Sequence, residues 1–542
     1  MPASSHPPSC ADVIARRLHD EGVRHAFGIP GGEVLALIEA LERAGIRFHL
    51  ARHENAAGFM AEGVHRMTGA PGVLVATVGP GVANAVNVVA NAAQDRVPLI
   101  VVTGRIPEDE ALTFPHQVFD HQAVLRPLVK ASFEARPGAC GAMIDKAVRL
   151  AADPRPGPVH VDVPTSVAAA PERAAPPPPR ARLGPAAPAP GPALDEARAM
   201  FRAARRPVLI AGLDVLSEPG APEAVRAFAE RFGVPVATTY KAKGVLPEDH
   251  PLSLGGHGLS PRSDALVLPF LRKADMVICA GYDPIEMRAG WRYPWDPARA
   301  VEFAAAPPVH HMHHARRAWV CGVAAGLAAL AEGAEPAALW PEGEPAALRK
   351  ALARAFAPPE AWGPGQAIAT LARLTPPDAV VTVDTGAHRI LLSQMWRCAA
   401  PGRLLQSTGL CTMGCALPLA AGAALGRAGA RVVAVLGDGC LDMTLGELAT
   451  WRDLGLPLTA VVLADDSLSL IELKQRADGR PEAGVAFGRS DYAAAARALG
   501  GRGVEVGDAD SLAAAYAGAL DADAGFSLIA ARIPRGAYEG LI

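Results

Sequence analysis

Aromatic residues are scarce in this 542-residue chain, since Phe, Trp and Tyr together make up 5% of it. The hydrophobic core must therefore be built mainly from Ala, Val and Leu. The chain also lacks an excess of basic residues, because 52 Lys and Arg stand against 55 Asp and Glu, for a net charge of −3. Such a chain has little with which to neutralise a phosphate backbone, so we expect no nucleic-acid partner.

Segments that would direct the chain to a membrane are also missing. Residues 1–10 have neither the basic nor the apolar region of a secretory signal peptide. The longest run of small apolar residues, 415–425, is too short to cross a bilayer. The eight cysteines contain no Cys-x-x-Cys pair, and Cys411 and Cys415 are better explained as small buried residues than as metal ligands. We therefore expect a cytoplasmic protein without a membrane partner.

Helix and strand patterns alternate along the whole chain. Residues 25–29, 72–78 and 99–103 read as strands separated by amphipathic helices. The run at 99–103 is almost continuously apolar, as expected of a parallel strand with both faces covered. The alternation predicts an α/β protein with three doubly wound parallel-sheet domains.

Two stretches of biased composition divide these units. Residues 171–193 contain four consecutive prolines and predict an extended, semi-rigid linker. Residues 335–362 are rich in Pro, Glu and Ala and predict a second linker. The domains are then expected at residues 8–170, 194–334 and 363–542, a division that fits the length.

The strongest local signal for chemistry is in the third unit. A predicted strand at 432–436 runs into Gly437-Asp438-Gly439, and the next apolar strand ends at Asp465, 27 residues after Asp438. Carboxylates at the ends of neighbouring parallel strands lie where α/β sheets bind ligands, and the glycines admit a phosphate. Together they predict a hard cation beside a diphosphate. On these residues alone the question stays open, because Gly-Asp-Gly is a common sequence.

The pattern resembles the cofactor motif of the thiamine-diphosphate-dependent enzymes, in which Gly-Asp-Gly is followed after about 27 residues by Asn or Asp. This resemblance implies that Asp438, Asp465 and the backbone carbonyl of Ser467 bind Mg²⁺. The family usually has Asn-Asn where this chain has Ala464-Asp465, so a second carboxylate stands beside the diphosphate. The three expected domains become, by the same resemblance, a pyrimidine-binding, a central Rossmann-like and a diphosphate-binding domain.

The resemblance extends to the other cofactor contacts. It implies that Met413 wedges under the cofactor and that the Cys411 carbonyl accepts a hydrogen bond from its aminopyrimidine. Segment 384–388 resembles a second diphosphate loop. The full set of cofactor-binding residues implied in this way is Pro80, Asn84, Thr385, Gly386, Ala387, His388, Cys411, Met413, Gly437, Asp438, Gly439 and Cys440.

Glu54 is the catalytic acid that the resemblance implies. Segment 52–63 resembles the family segment whose glutamate contacts the pyrimidine N1′ atom and activates the cofactor in a dry site. Taken alone, Glu54 is better explained as an exposed carboxylate at the start of a helix.

Several segments resemble the acetolactate synthases, in particular their catabolic, FAD-free branch. Segments 114–120 and 281–286 carry this likeness, and Lys474 stands where the biosynthetic branch has a tryptophan. By this resemblance His116 and Gln117 are catalytic candidates that orient the acceptor. The implied substrate contacts are Pro30, Gly31, Gly32, Leu470, Ile471 and Lys474.

The expected reaction is decarboxylation of a 2-oxo acid such as pyruvate, followed by carboligation to a second carbonyl compound. The expected cofactors are thiamine diphosphate and Mg²⁺, with no FAD. The expected assembly is a homodimer or homotetramer in which Glu54 of one subunit serves the Asp438 site of another. A non-ligating decarboxylase, a carboligase or lyase with an unusual acceptor, and an inactive cofactor-binding homologue stay open, although Glu54 argues against the last.

One further motif is the histidine-rich segment at residues 310–314. It has no carboxylate partner nearby in the sequence, so we expect a solvated loop rather than a metal site.

Overall fold

The computed structural model describes residues 7–174 and 184–542. These residues form three six-stranded sheets in which every strand pair is parallel. Helices flank the sheets, as parallel strands require because each crossover needs a connecting segment. The predicted fold class is confirmed. None of the helices in these two ranges is both long and apolar enough to cross a membrane.

The first domain has the strand order β2-β1-β3-β4-β6-β5. Strand β3 is buried along its whole length, which explains its unbroken apolar sequence. Its strands are β1 His25–Ile29, β2 Arg47–Leu50, β3 Gly72–Ala76, β4 Leu99–Arg105, β5 Ser132–Glu134 and β6 Val159–Pro164. Its helices are α1 Cys10–Asp20, α2 Leu35–Arg43, α3 Glu54–Thr68, α4 Pro80–Gln94, α5 Glu108–Ala111, α6 His121–Leu125, α7 Cys140–Ala152 and α8 Thr165–Ala168, with a 3₁₀ turn at Gly32–Val34.

The second domain has the strand order β12-β11-β10-β7-β8-β9. The order reverses between β7 and β10, so a crevice opens where these two strands end. Its strands are β7 Pro207–Ala211, β8 Val236–Thr239, β9 Ser253–His257, β10 Met276–Ala280, β11 Ala300–Ala304 and β12 Arg317–Val320. Its helices are α9 Pro192–Ala203, α10 Asp214–Ser217, α11 Ala221–Phe232, α12 Pro261–Lys273, α13 Val323–Ala331 and α14 Glu344–Ala355, with 3₁₀ turns at Pro284–Glu286, Ala289–Trp291 and Pro297–Arg299.

The third domain has the strand order β14-β13-β15-β16-β18-β17, the same arrangement as the first. Strands β13, β15 and β16 lie side by side and bring their carboxyl ends to one edge of the sheet. Its strands are β13 Val380–Val383, β14 Leu404–Leu405, β15 Val432–Gly437, β16 Leu458–Ala464, β17 Arg502–Val506 and β18 Phe526–Arg532. Its helices are α15 Pro364–Leu374, α16 Ala387–Met395, α17 Ala416–Gly426, α18 Asp438–Thr444, α19 Glu447–Leu454, α20 Ser469–Ala477, α21 Tyr492–Ala498 and α22 Ala509–Leu520.

Helices α3 and α17 join the first and third domains through a contact between glycines. A Cβ atom on Gly63 would lie 2.4 Å from the Leu419 carbonyl oxygen, and one on Gly422 would lie 2.0 Å from the Met60 carbonyl oxygen. Both helices therefore approach backbone to backbone, and apolar residues of both domains form one continuous core around the crossing.

The two predicted linkers differ in the structure. Residues 175–183 of the first linker lie outside the described residues, and α9 begins at Pro192, just before the predicted linker ends. The second linker is more ordered than its composition indicates, because α14 spans Glu344–Ala355 and buries Leu348 against the second domain.

Candidate active site

Asp438 ties together the ends of two neighbouring strands in the third domain. Strand β15 ends at Gly437, and Asp438 begins α18 with only 2% of its surface exposed. Its Oδ2 atom accepts the backbone N–H groups of Asp465 and Asp466 at 2.9 and 2.7 Å, and its Oδ1 atom accepts that of Gly439 at 2.9 Å. Burial raises the pKa of Asp438 above its ordinary value, so a nearby cation would stabilise its ionised form.

Asp465 places a second buried carboxylate at this edge of the sheet. Burial and the neighbouring charge of Asp438 raise the pKa of Asp465 to about 7, although the Ser469 hydroxyl donates a hydrogen bond to it. Ser467 is also buried, and its hydroxyl donates to Glu472. Burial disfavours the ionised form of both carboxylates, so a bound cation would stabilise them. Two adjacent carboxylates are also ligands of the kind that a hard divalent cation binds.

Asp384, at the end of β13, holds two loops in place by hydrogen bonds beside this carboxylate pair. It has no exposed surface and accepts the backbone N–H groups of Thr385 at 2.8 Å, Gly414 at 2.9 Å and Ala416 at 2.9 Å. From the sequence, Asp384 was expected only as part of the diphosphate loop at 384–388, with no contact of its own. In the sequence, Asp384 comes directly after an apolar strand and shortly before a glycine, as Asp438 does.

The loop after Asp384 presents polar atoms that lack a protein partner. Among the described residues, the buried Oγ1 atom of Thr385 and the Nε2 atom of His388 make no hydrogen bond. Burial lowers the pKa of His388 to about 3, so its ring is neutral. A Cβ atom on Gly386 would lie 2.6 Å from this ring, and Ala387 begins α16, whose N-terminus favours anions. The Cys440 thiol donates to the Thr385 carbonyl at 3.1 Å. These residues fit a diphosphate held with a cation.

Cys411 and Met413 lie on the loop before α17, whose Gly414 is hydrogen-bonded to Asp384. Cys411 has a φ angle of 60°, a left-handed conformation that is uncommon outside glycine and concentrated at functional sites. Its thiol donates to the Thr408 carbonyl at 3.2 Å, and Arg389 donates to its sulfur at 3.3 Å. The Met413 methyl group lies 3.7 Å from the position of a Cβ atom on Gly439. The loop therefore stands opposite Gly439, next to Asp438.

Glu54 begins α3 in the first domain and is almost completely buried, with 4% of its surface exposed. Asn84 donates a hydrogen bond to its Oε2 atom at 3.0 Å, and its Oε1 atom lies 3.4 Å from the position of a Cβ atom on Gly81. The alternative of an exposed carboxylate is wrong. Pro80 and Asn84, at the start of α4, are exposed, so Glu54 lies just beneath the surface of its chain.

Gln117 and His116 differ in their surroundings. Gln117 has a φ angle of 60°, and its carbonyl oxygen lies 2.7 Å from the position of a Cβ atom on Gly79. Gln117 therefore packs on the loop that leads to Asn84. His116 is exposed, and its ring packs against Phe114 with 5.9 Å between the ring centroids.

His121 is a buried residue of this region that sequence analysis missed. Its Nε2 atom accepts the backbone N–H of Gly79 at 3.3 Å, so its Nδ1 atom carries the proton and donates to Asp162 at 3.0 Å. Burial opposes ionisation of Asp162, but hydrogen bonds from His121, His160 and Thr103 hold the pKa of that carboxyl below its ordinary value. The sequence did contain one indication of this buried polar cluster, because His160 and Asp162 interrupt the otherwise apolar strand β6.

The six candidate substrate residues lie in two places. A Cβ atom on Gly31 would lie 2.1 Å from the Thr77 hydroxyl, and Thr77 donates to Glu33 at 2.6 Å. Pro30 and Gly32 on the same loop are exposed. The loop thus packs beside the residues that lead to Gly79.

The other three residues are on α20 of the third domain. Leu470 packs partly against the domain core, whereas Ile471 and Lys474 are exposed. The structure therefore does not give these three side chains a common environment.

Three family models match the chain. They are described as the N-terminal TPP binding domain, the central domain and the C-terminal TPP binding domain of thiamine pyrophosphate enzymes, and they match residues 8–124, 194–330 and 384–531.

Curated relatives match over most of the chain. Acetolactate synthase isozyme 1 large subunit of Escherichia coli (strain K12) is 34% identical over 86% of this chain and 83% of its own length. An acetolactate synthase of Mycobacterium bovis is 32% identical over 85% of this chain and 76% of its own length. An acetolactate synthase of Bacillus subtilis (strain 168) is 29% identical over 93% of this chain and 89% of its own length.

Proposed function

Because the chain belongs to the acetolactate synthase-like thiamine pyrophosphate enzymes, we propose that it decarboxylates a 2-oxo acid of the pyruvate type. The remaining carbon fragment is then joined to a second carbonyl compound. The observation that carries this proposal is the buried carboxyl of Glu54, held by Asn84 beneath an exposed face of the first domain. A protein that only binds the cofactor has no need of a buried acid there, since burial without a function is costly.

The proposal gives each group of residues a task. Asp438, Asp465 and the Ser467 carbonyl would bind Mg²⁺, and Thr385 and His388 would hold the diphosphate. When bound, thiamine diphosphate supplies a carbon nucleophile and accepts the electron pair that decarboxylation releases. The Glu54 carboxyl would share its proton with the pyrimidine N1′ atom, which needs an acid that water does not reach. His116 and Gln117 would orient the acceptor.

We propose that the complete site forms between two chains, as a homodimer or homotetramer. Pro80 and Asn84 are exposed beside Glu54. Nearby, Leu112, Phe114 and Phe119 are exposed by 85%, 49% and 37%. An apolar surface of this kind on a soluble enzyme favours coverage by another subunit.

Mixing two inactive variants tests this assembly. Glu54→Gln and Asp438→Ala chains co-expressed in equal amounts should regain roughly a quarter of wild-type activity, because random pairing leaves one intact site in each mixed dimer. Each variant alone is the control. If both residues serve a site within one chain, the mixture stays as inactive as its components.

We propose that the second domain holds no FAD. Segment 281–286 supports this by its resemblance to the FAD-free branch. The crevice between β7 and β10 also supports it, because a cavity of only about 10 Å³ lies there and buried Tyr282 and Trp295 pack beside it. A flavin absorption band that remains with the protein through gel filtration would contradict this proposal.

Product analysis tests the proposed reaction directly. Purified protein with thiamine diphosphate and Mg²⁺ is given a panel of 2-oxo acids, and carbon dioxide, free aldehyde and carboligation products are measured together by mass spectrometry. We expect a carboligation product from pyruvate or a close analogue, with Glu54→Gln as the inactive control. Carbon dioxide with free aldehyde alone would identify a non-ligating decarboxylase, and no turnover of any acid would contradict an enzymatic function.

A further inference from the structure

The histidine-rich segment at residues 310–314 is only in part the solvated loop expected from its sequence, because one of its histidines is buried. His313 is buried, with 1% of its side chain exposed, and its Nε2 atom lies 3.3 Å from the Oε2 atom of Glu302 on β11. Candidate ligand atoms of Glu302, His310 and His313 all lie within 4.8 Å of one another. The carboxylate partner that the nearby sequence lacks thus comes from the preceding strand.

The His313 ring lacks the hydrogen bonds that a buried imidazole requires. Within the part of the chain that the structure describes, neither of its ring nitrogens has a hydrogen-bond partner, because its approach to Glu302 lacks hydrogen-bond geometry. Buried polar atoms in native proteins are nearly always paired with protein, water or an ion. Two unpaired nitrogens beside a buried carboxylate therefore indicate a ligand that bonds to both side chains.

Aromatic residues fix the position of this ring. Tyr282 and Trp295 lie beside His313, with ring centroids 5.0 and 5.4 Å away. The His310 ring also lies close, with its centroid 4.7 Å from that of His313. The three candidate ligands are therefore held close together rather than spread over a loose loop.

The charge around the cluster favours a cation. The adjoining cavity, which lies at the carboxyl ends of β7, β10 and β11, is lined by Asp214, Asp283 and Glu302, and by Arg155 as its only fully cationic residue among those described. Asp283 is also paired with Arg96 at 2.9 Å. The cavity of about 10 Å³ has room for roughly one water molecule, which is what a metal with three protein ligands takes as its fourth.

We propose that Glu302, His310 and His313 bind a Zn²⁺ ion in the second domain. Two imidazoles and one carboxylate are a donor set that Zn²⁺ accepts readily, whereas Mg²⁺ prefers oxygen ligands alone. The ion joins β11 to the segment that follows it. This site is separate from the carboxylates at Asp438 and does not depend on the proposed reaction.

Metal titration of the full chain without a histidine tag tests the proposal. The protein is freed of metal with a chelator, saturated with Mg²⁺ and thiamine diphosphate, and then titrated with Zn²⁺ by calorimetry. We expect one Zn²⁺ per chain. Co²⁺ in place of Zn²⁺ should give visible absorption bands of a four-coordinate site, which Zn²⁺ then abolishes.

Neighbouring histidines provide matched controls. Glu302→Gln and His310→Ala should weaken Zn²⁺ binding at least about 10-fold, and His310 is only half-buried, so its loss should leave the fold intact. His311→Ala and His314→Ala remove exposed histidines from the same segment and should leave binding unchanged. Circular dichroism confirms that each variant is folded.

Three results would overturn the proposal. One is a wild-type protein that binds no Zn²⁺ beyond the amount bound by Glu302→Gln. Another is a loss of binding in His311→Ala as large as in His310→Ala. A third is a Co²⁺ spectrum without bands of a four-coordinate site, and this result needs no variant at all.

Discussion

Asp95 of the first domain and Lys241 of the second lie 3.1 Å apart between Oδ2 and Nζ, and both are buried. Lys241 also donates to the Gln406 carbonyl at 2.6 Å, and the Oδ1 atom of Asp95 accepts the backbone N–H of Gly409 at 2.7 Å. This pair therefore joins all three domains just before the loop that carries Cys411.

Removal of one partner of this pair should loosen that loop. Lys241→Met leaves Asp95 buried without its cation, which should destabilise the protein by about 3–5 kcal/mol and weaken thiamine diphosphate binding. The double variant Asp95→Asn/Lys241→Met should recover part of both losses. Lys243→Met is the matched control, because it breaks a buried pair with Glu248 inside the second domain. Equal cofactor affinity in Lys241→Met and Lys243→Met would contradict the prediction.

Glu54→Gln should keep cofactor binding and lose turnover by about 10²–10⁴-fold, because an amide cannot share a proton with a ring nitrogen as a carboxyl does. Cofactor affinity is measured by calorimetry and turnover by carbon dioxide release. Glu39→Gln, on an exposed face of α2, is the control. Near-wild-type turnover in Glu54→Gln would show that Glu54 is not the activating acid.

Asp438→Ala should abolish Mg²⁺-dependent cofactor binding, because it removes a cation ligand and the carboxylate that accepts the N–H groups of Asp465 and Asp466. Asp465→Asn should be far milder, because the amide keeps an oxygen for the metal and removes a carboxylate that burial disfavours. Calorimetric titration with thiamine diphosphate and Mg²⁺ compares them. Equal damage from both substitutions is incompatible with the assigned ligands.

His116→Ala should change the products more than the rate of decarboxylation. Carbon–carbon bond formation requires an oriented acceptor, whereas decarboxylation does not. The ratio of free aldehyde to carboligation product should therefore rise while carbon dioxide release stays roughly constant. Glu108→Ala, in the same exposed segment, should leave the ratio unchanged. An unchanged ratio in folded His116→Ala would remove His116 from the site.

His257 should make stability depend on pH. Burial lowers the pKa of His257 from 6.5 to about 4, so the folded protein keeps the ring neutral while the unfolded chain takes up a proton. Its contribution is complete above about pH 6.5 and is lost as the pH falls towards 4. Between about pH 8 and pH 5, wild type should lose up to roughly 2 kcal/mol relative to His257→Gln, as measured by denaturant unfolding. A stability difference that is independent of pH would contradict this.

The fold was predictable because long apolar strands are a strong local signal. The strand at His25–Ile29 lies at its predicted position, and the strands that end just before Asp438 and Asp465 are neighbours, which is the condition that the predicted cation site depends on. The helix at Glu344–Ala355 was missed because Pro, Glu and Ala suit a linker and also suit a helix with proline in its first turn.

The missed site residues depend on contacts between distant parts of the chain. His121 meets Asp162 across 41 residues, and Asp384 meets Gly414 across 30. Likewise, the burial of His313 depends on Tyr282 and Trp295, which precede it in other segments. Periodicity and spacing report what a residue does locally, so they predict elements and strand ends but not these partners.

The contact between Gly63 and Gly422 also constrains how this protein can change. A methyl group on either helix would meet the backbone of the other, and Glu54 begins the helix that would be displaced. Glycine should therefore be retained at both positions together in related chains. A chimera that takes residues 8–170 from a relative should work only when the donor and the recipient both present glycine at this crossing.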